Sequence, residues 1–117
     1  MTSVGPRFSV TVFSRAPVPG STKRRLIPAL GPQGAAELHE RMLRRVLEVA
    51  LELEQVRVTL ACTPDTTHPF FLTLRSELGI EVVAQQGEDL GARMTFELAR
   101  CLENHTAAVI VGSDCPT

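Results

Sequence analysis

The sequence predicts an α/β protein built on a parallel sheet of about four strands in the order 3-2-1-4, with helices on both faces. Three observations carry this expectation. Four short β-rich runs alternate with three stretches of helical periodicity, as right-handed crossovers between parallel strands require. Turn residues mark element boundaries, among them Thr63-Pro64-Asp65, Gly79 and the stretch 85–89. The 117 residues suit one domain with a real core.

The first strand is expected over residues 8–13, with Phe8, Val10 and Val12 on one face and Phe13 on the other. A loop follows in which Pro17, Pro19 and Gly20 forbid regular structure. Leu30-Gly-Pro-Gln-Gly34 then opens a long helix. Its apolar positions Ala35, Leu38, Met42, Val46, Val49 and Leu53 recur every three or four residues, and Leu43, Leu47 and Leu51 widen the stripe. A stripe so wide packs on a sheet. The opposite side carries Glu37, Arg41, Arg44, Arg45, Glu48 and Glu52, spaced for weak pairs four residues apart on a solvated face.

Residues 56–62 read as the second strand, ended by Thr63-Pro64-Asp65. A short helix is expected from near Thr67 to Leu78, with Phe70 or Phe71, Leu74 and Leu78 on its apolar side and Gly79 as its stop. Residues 80–84 form a third strand. The turn 85–89 leads to a third helix in which Leu90, Met94, Leu98, Cys101 and Leu102 face inward while Arg93, Glu97 and Arg100 point elsewhere. Residues 107–111 are apolar throughout, the pattern of a strand covered on both faces.

Composition excludes several classes of function. With 44% hydrophobic residues, 21% charged residues and a net charge of −1, the chain has the make-up of an ordinary globular domain. No global positive field is available to hold nucleic acid, so any anion site is local. No apolar run is long enough to span a bilayer. Met1 to Pro6 lack the basic start and apolar core of a signal peptide. Cys62, Cys101 and Cys115 are an odd number without a Cys-x-x-Cys pair, which fits free thiols in a reducing cytoplasm. The expectation is a cytoplasmic protein.

The basic loop holds the first functional signal. Arg15, Lys23, Arg24 and Arg25 gather within about a dozen residues after strand one, and their mutual repulsion is relieved by an anion such as phosphate. In an open sheet of this type ligands bind beyond the carboxyl ends of the strands, where the winding direction reverses. With the order 3-2-1-4 that reversal lies between strands one and four. The basic loop then faces Gly112-Ser-Asp-Cys-Pro-Thr117. Asp114 is the expected anchor for Mg²⁺ or Mn²⁺ bridging to a diphosphate, since hard oxygen donors suit those ions.

Four segments also carry a resemblance: Phe13-Ser-Arg-Ala-Pro-Val-Pro-Gly20 with Lys23-Arg-Arg-Leu26, Leu30-Gly-Pro-Gln-Gly-Ala-Ala36, Asp89-Leu-Gly-Ala-Arg-Met94, and Gly112-Ser-Asp-Cys-Pro116. Together, in this order, they resemble the bacterial GT-A-fold glycosyltransferase family that includes arsenosugar-biosynthesis enzymes, many members of which carry only a domain-of-unknown-function label. The resemblance covers nearly the whole chain and implies a Rossmann-like nucleotide-diphospho-sugar transferase fold. It implies a metal-binding role for Asp114 and a donor-nucleotide role for the loop of Arg15, Pro19, Gly20, Lys23, Arg24 and Arg25. Asp89 and Arg93 fall in the family's Asp-Leu-Gly-x-Arg-Met signature. Arg15 stands where the family usually has lysine, and Arg24 where it usually has threonine. Relatives continue past the Ser-Asp-Cys-Pro turn into an acceptor-binding half, so the expectation for residues 1–117 is a nucleotide-binding half-domain, with a homodimer possible through the edge of strand four.

Each candidate also has a plainer structural role. Asp114 is suited to capping a turn, and Asp89 is more simply a helix N-cap than a ligand. Arg93 has Asp89 and Glu97 within pairing distance along its helix. Cys115 has no histidine placed to activate it and reads as a small buried thiol. His39, His68 and His105 lack metal-ligand spacing and read as surface residues.

The function expected is transfer of a sugar from a nucleotide diphosphate donor, the metal and basic loop stabilising charge on the departing diphosphate. Two alternatives stand beside it: a nucleotidyltransferase of the same broad fold, and a non-catalytic nucleotide-binding or dimerising module. No phosphate-loop signature ending in Gly-Lys-Ser/Thr is present, which argues against an ATPase.

Overall fold

The computed structural model describes residues 7–20 and 24–112. Its elements are β1 (Phe8–Arg15), a single 3₁₀ turn (Arg24–Leu26), α1 (Ile27–Leu51), β2 (Val56–Thr63), α2 (Pro69–Leu78), β3 (Glu81–Ala84), α3 (Leu90–Leu102) and β4 (Ala107–Gly112). The strands form one sheet in the order β3-β2-β1-β4, and each adjacent pair is parallel. This is the expected architecture. β1 runs two residues further than the sequence suggests, to Arg15, because Arg15 stays in register with Thr63 of β2.

The two faces of the sheet differ in chemistry. On one, Val12, Val58, Leu60 and Cys62 pack with Leu43, Leu47 and Ala50 of α1 and with Phe71 and Leu74 of α2. Burying these side chains supplies most of the hydrophobic drive to fold, about 1.5–3 kcal/mol for each large one. Phe71, not Phe70, is the fully buried member of its pair. The other face presents Ser9, Thr11, Thr59 and Glu81, and α3 crosses it.

Gly31, at φ 77°, divides α1 into a leading turn and a main helix that starts at Pro32. A positive φ suits glycine and proline suits a first helical turn, so the Gly-Pro pair marks this entry chemically. The buried stripe of the helix is Ala35, Ala36, His39, Leu43, Leu47 and Ala50, rotated from the one the periodicity favours. Val49, Leu51 and Leu53 are exposed. A histidine on the buried side is what shifts the apparent hydrophobic phase. On the outer side Arg44 donates to Glu77 of α2 at 2.8 Å, so its charge ties two helices together.

α2 begins where His68 Nδ1 accepts from the backbone N–H of Phe70 at 3.0 Å, a cap the sequence does not signal, and ends at the left-handed Gly79, the stop it does signal.

Two expectations about the second half are corrected. α3 turns Glu97 and Cys101 to the sheet, while Leu90, Met94 and Leu102 are exposed. The sheet face beneath it is hydroxylated, so a carboxylate fits there better than an apolar stripe. β4 is not covered on both faces among the described residues, where Val109 is 53% exposed.

Candidate functional site

The carboxyl ends of the strands converge on a cleft of about 450 Å³ lined by Arg15 at the end of β1 with Ala16 and Val18 after it, Thr63 at the end of β2 with Pro64 after it, Gln85 after β3, and Arg93 of α3. Backbone hydrogen bonds set this edge. The N–H of Ala16 donates to the Thr63 carbonyl at 2.9 Å, and the N–H of Gln85 donates to the Cys62 carbonyl at 2.9 Å. The Gln85 side chain adds a bond from Nε2 to the Ala61 carbonyl at 3.0 Å. Three consecutive strands thus end in fixed, paired backbone around one opening.

Two guanidinium groups reach that opening from different elements. Arg15 is exposed at the end of β1. Arg93 is placed by the turn before α3, where its Nε donates to the Gly87 carbonyl at 3.0 Å. Gly87 has φ 136°, and a Cβ there would meet the Arg93 backbone nitrogen at 2.8 Å and the Ala92 carbonyl carbon at 2.9 Å. Only glycine allows this turn to approach α3 so closely. Asp89 caps α3, its Oδ1 accepting from the Ala92 N–H at 2.8 Å. Asp89 therefore takes the structural role, and Arg93 bonds to a turn carbonyl instead of an acidic neighbour.

The exit of β1 has a support that the sequence does not advertise. His39 of α1 is fully buried, and its Nε2 lies 2.9 Å from the Arg15 carbonyl and 3.1 Å from Ser14 Oγ. A carbonyl only accepts, so this contact puts the imidazole proton on Nε2. Ser14 Oγ also donates to the same carbonyl at 2.9 Å. Reading His39 as a surface residue is thus corrected. His68 and His105 are half-buried and both bond to backbone, His105 through Nδ1 to the Cys101 carbonyl at 2.8 Å.

Beneath α3 lies a second polar cluster. Glu97, 4% exposed, accepts from Thr11 Oγ1 at 2.7 Å, from Cys101 Sγ at 3.3 Å, and from Arg100 through a fork at 2.9 and 2.8 Å. Burial alone would raise the pKa of its carboxyl. The Arg100 fork, the Thr11 hydroxyl and the Cys101 thiol outweigh burial and hold it below the usual carboxylate range. Arg100 is correspondingly held protonated by Glu97. Burial, with Asp65 adding to it, pushes the Cys62 thiol up to about 12, so that sulfur is inert packing and not a nucleophile.

Of the sequence-derived candidates, Arg15, Asp89 and Arg93 stand at the carboxyl edge, and Pro19 and Gly20 follow β1 in the same loop. Arg25 is exposed in the 3₁₀ turn that precedes α1. The side chain of Arg24, and Lys23, Asp114 and Cys115, lie outside the described residues. β4 delivers its last residue, Gly112, in register with Phe13 of β1, so the two chain segments leave the sheet side by side. Among the described residues no group of three or more His, Cys, Asp or Glu could hold a metal ion, and no helix is long and apolar enough to cross a membrane.

Residues 46–117, more than half of the chain, match the model of a family described as an uncharacterized protein conserved in bacteria, DUF2064. The chain belongs to this family. Among curated proteins none matches. A solved structure from Desulfovibrio desulfuricans G20, provisionally designated a nucleotide-diphospho-sugar transferase, is similar over 92% of this chain, with a TM-score of 0.79 and 27% identity. The match covers 47% of that protein, so this family member spans about half the length of its structural neighbour. The α/β sheet of order 3-2-1-4 is thus a nucleotide-diphospho-sugar transferase fold.

Proposed function

We propose that this chain is the nucleotide-binding half of a glycosyltransferase that uses a nucleotide-diphosphate sugar donor. The observation that carries the reading is the cleft at the carboxyl edge, where Arg15 and Arg93 converge from β1 and α3. Two guanidinium groups over one opening suit the oxygens of a diphosphate, and planar forks favour such oxyanions over simple ions. Lys23, Arg24 and Arg25 follow Arg15 within about a dozen residues of sequence and add positive charge to this segment, while the protein as a whole carries −1. Asp114 follows β4 in sequence and supplies a hard oxygen donor for Mg²⁺ or Mn²⁺, whose chemistry would be to neutralise the departing diphosphate. Gly112, which ends β4 beside β1, supports putting that carboxylate near the basic loop.

In this reading the protein's own residues bind and orient the donor. Arg15 and Arg93 hold the phosphates, and the paired backbone of Ala16, Thr63 and Gln85 keeps the cleft rigid. The acceptor is held by polypeptide beyond this half, in keeping with the length of the structural neighbour. A second copy of the chain covers the free edge of β4, where Val109 is exposed and β1 is the only strand partner among the described residues.

Calorimetric titration with a panel of nucleoside diphosphates, with and without Mn²⁺, tests the reading. Saturable, metal-enhanced binding of at least one nucleoside diphosphate is expected. Turnover of a nucleoside triphosphate with release of pyrophosphate would replace the reading with a nucleotidyltransferase, and absence of nucleotide binding with or without metal would end it.

A further inference from the structure

The amino ends of the strands hold a second cavity, about 530 Å³ in volume, on the face that α3 covers. Its floor is set by register. Ser9 of β1 pairs with Arg57 of β2, and Thr59 pairs with Glu81 of β3, so these side chains project to one side. Arg100 and His105, in and just after the last turn of α3, form its wall. Arg57 and Thr63 are six residues apart along β2, which puts this cavity about 20 Å from the carboxyl-edge cleft.

Three features show groups prepared for a ligand. Ser9 Oγ is 1% exposed, lines the cavity, and has no hydrogen-bond partner among the described residues. A buried hydroxyl without a partner is costly to leave dry, so an occupant that supplies the hydrogen bond gains affinity from it. Arg57 lines the same cavity and forms no hydrogen bond or ion pair among the described residues. Arg100, by contrast, is committed to Glu97 and lies 3.7 Å from Glu81. His105 uses Nδ1 on the Cys101 carbonyl, so Nδ1 carries a proton and Nε2 is the ring nitrogen left to meet a ligand.

We propose that this cavity is a binding site for a small hydroxyl-bearing anion, whose charged end meets Arg57 and Ser9 and whose hydroxyls donate to Glu81 and His105. Its size is that of a small-molecule pocket. One unmatched guanidinium selects one anionic group, and the acceptors beside it select against a bare multivalent oxyanion. The site is independent of the nucleotide cleft, since it shares no lining residue with it.

Two-dimensional ¹H–¹⁵N NMR titration of the whole chain with glucose 6-phosphate, inorganic phosphate and glucose tests this. Glucose 6-phosphate is expected to shift the Ser9, Arg57 and His105 amides saturably while Ala16 and Gln85 stay in place, and to bind more tightly than phosphate or glucose. Arg57→Ala is expected to weaken it about tenfold or more, the loss of one charge-assisted contact. Arg57 is exposed and its side chain is unpaired among the described residues, so this variant keeps its fold, which the unchanged spectrum of the remaining residues verifies. Ser9→Ala provides a second variant that removes a hydroxyl without leaving an orphan. Equal affinity for phosphate and glucose 6-phosphate, binding unaltered by both variants, or no shift at these three amides overturns the assignment.

Discussion

The buried imidazole of His39 sits 2.9 Å from the backbone carbonyl of Arg15, so helix α1 holds the point where β1 gives way to the basic loop. Ser14 Oγ, 3.1 Å from the same nitrogen, completes a three-way contact. His39→Ala removes a fully buried ring and unties that carbonyl together. The expected cost is about 2–4 kcal/mol, from the cavity and the lost hydrogen bonds. Urea denaturation measures it, and hydrogen exchange at Ala16 and Val18 should accelerate as well. A variant as stable as the parent, with unchanged exchange, would show that the contact is incidental.

Gly87 makes a sharper geometric demand. Its φ of 136° and the 2.8 Å approach of a hypothetical Cβ to the Arg93 backbone nitrogen mean that Gly87→Ala must displace the start of α3. A loss of about 1–3 kcal/mol is expected, as for other residues forced into glycine-only conformations. Because the Gly87 carbonyl anchors Arg93, nucleotide affinity should fall with stability. Thermal melts and titrations on the same variant check both, and Gly20→Ala, with φ 91° but open space around it, separates strain from collision.

Acid should reveal Glu97. Its carboxyl is held below the usual range in the folded protein, so the unfolded chain binds the extra proton first as pH falls. The stability it contributes is complete above the unfolded value, about 4.3, and is lost as pH drops through the lower folded value. Glu97→Gln should therefore be less stable near neutrality by about 1–3 kcal/mol and show a flatter decline between about pH 4.5 and 3. Equilibrium unfolding across that range decides it. Parallel pH profiles for the two proteins would show that the carboxylate is not the group being titrated.

Where the sequence was legible, a single local force dominated. Strand runs alternating with helical periodicity, and punctuation at Gly31-Pro32, Thr63-Pro64 and Gly79, foretold the element order and, with the crossover rule, the sheet order. Asp89 as an N-cap was legible because a cap needs only its own helix. Where it failed, a tertiary contact outweighed the pattern. His39 and Glu97 are polar residues at buried helix positions, and each makes a hydrogen bond to β1, remote in sequence. Their burial turned α1 and α3 away from the stripes their apolar residues suggest. Arg93 was legible as a site residue through its motif, whereas its anchor on Gly87 required the turn geometry. Gln85 carried no signal, since a glutamine in a turn is unremarkable until its amide is seen closing on the Ala61 carbonyl.

Arg15 and Arg93 should be separable by charge and shape. Arg93→Ala and Arg15→Ala are each expected to weaken nucleoside diphosphate binding about tenfold or more, as loss of one charge-assisted hydrogen bond implies. Arg15→Lys keeps the charge but not the planar fork, and should retain only part of the affinity. Asp114→Ala should abolish the gain produced by Mn²⁺ and leave metal-free binding in place. Titration calorimetry reads all four. If Asp114→Ala binds as tightly as the parent in the presence of metal, the aspartate is a turn residue only.

The free edge of β4 supplies the final prediction. Among the described residues β4 has one strand neighbour, β1, and an edge of that kind presents a row of backbone donors and acceptors that is normally covered, shortened or charged. Residues 107–112 contain no charge and no proline, and Val109, in the middle, is 53% exposed. Leu90, Met94 and Leu102 of α3 add exposed apolar surface. Nothing in the sequence of this strand opposes pairing, so the chain should self-associate through it. Val109→Lys puts a charge on the edge strand, a substitution that disfavours edge pairing, and leaves the packed core, centred on Leu43, Leu47 and Phe71, untouched. Sedimentation velocity should give a dimer for the parent and a monomer for Val109→Lys, with matching far-ultraviolet circular dichroism. A parent that sediments as a monomer at every concentration would show that β4 is not a self-pairing edge.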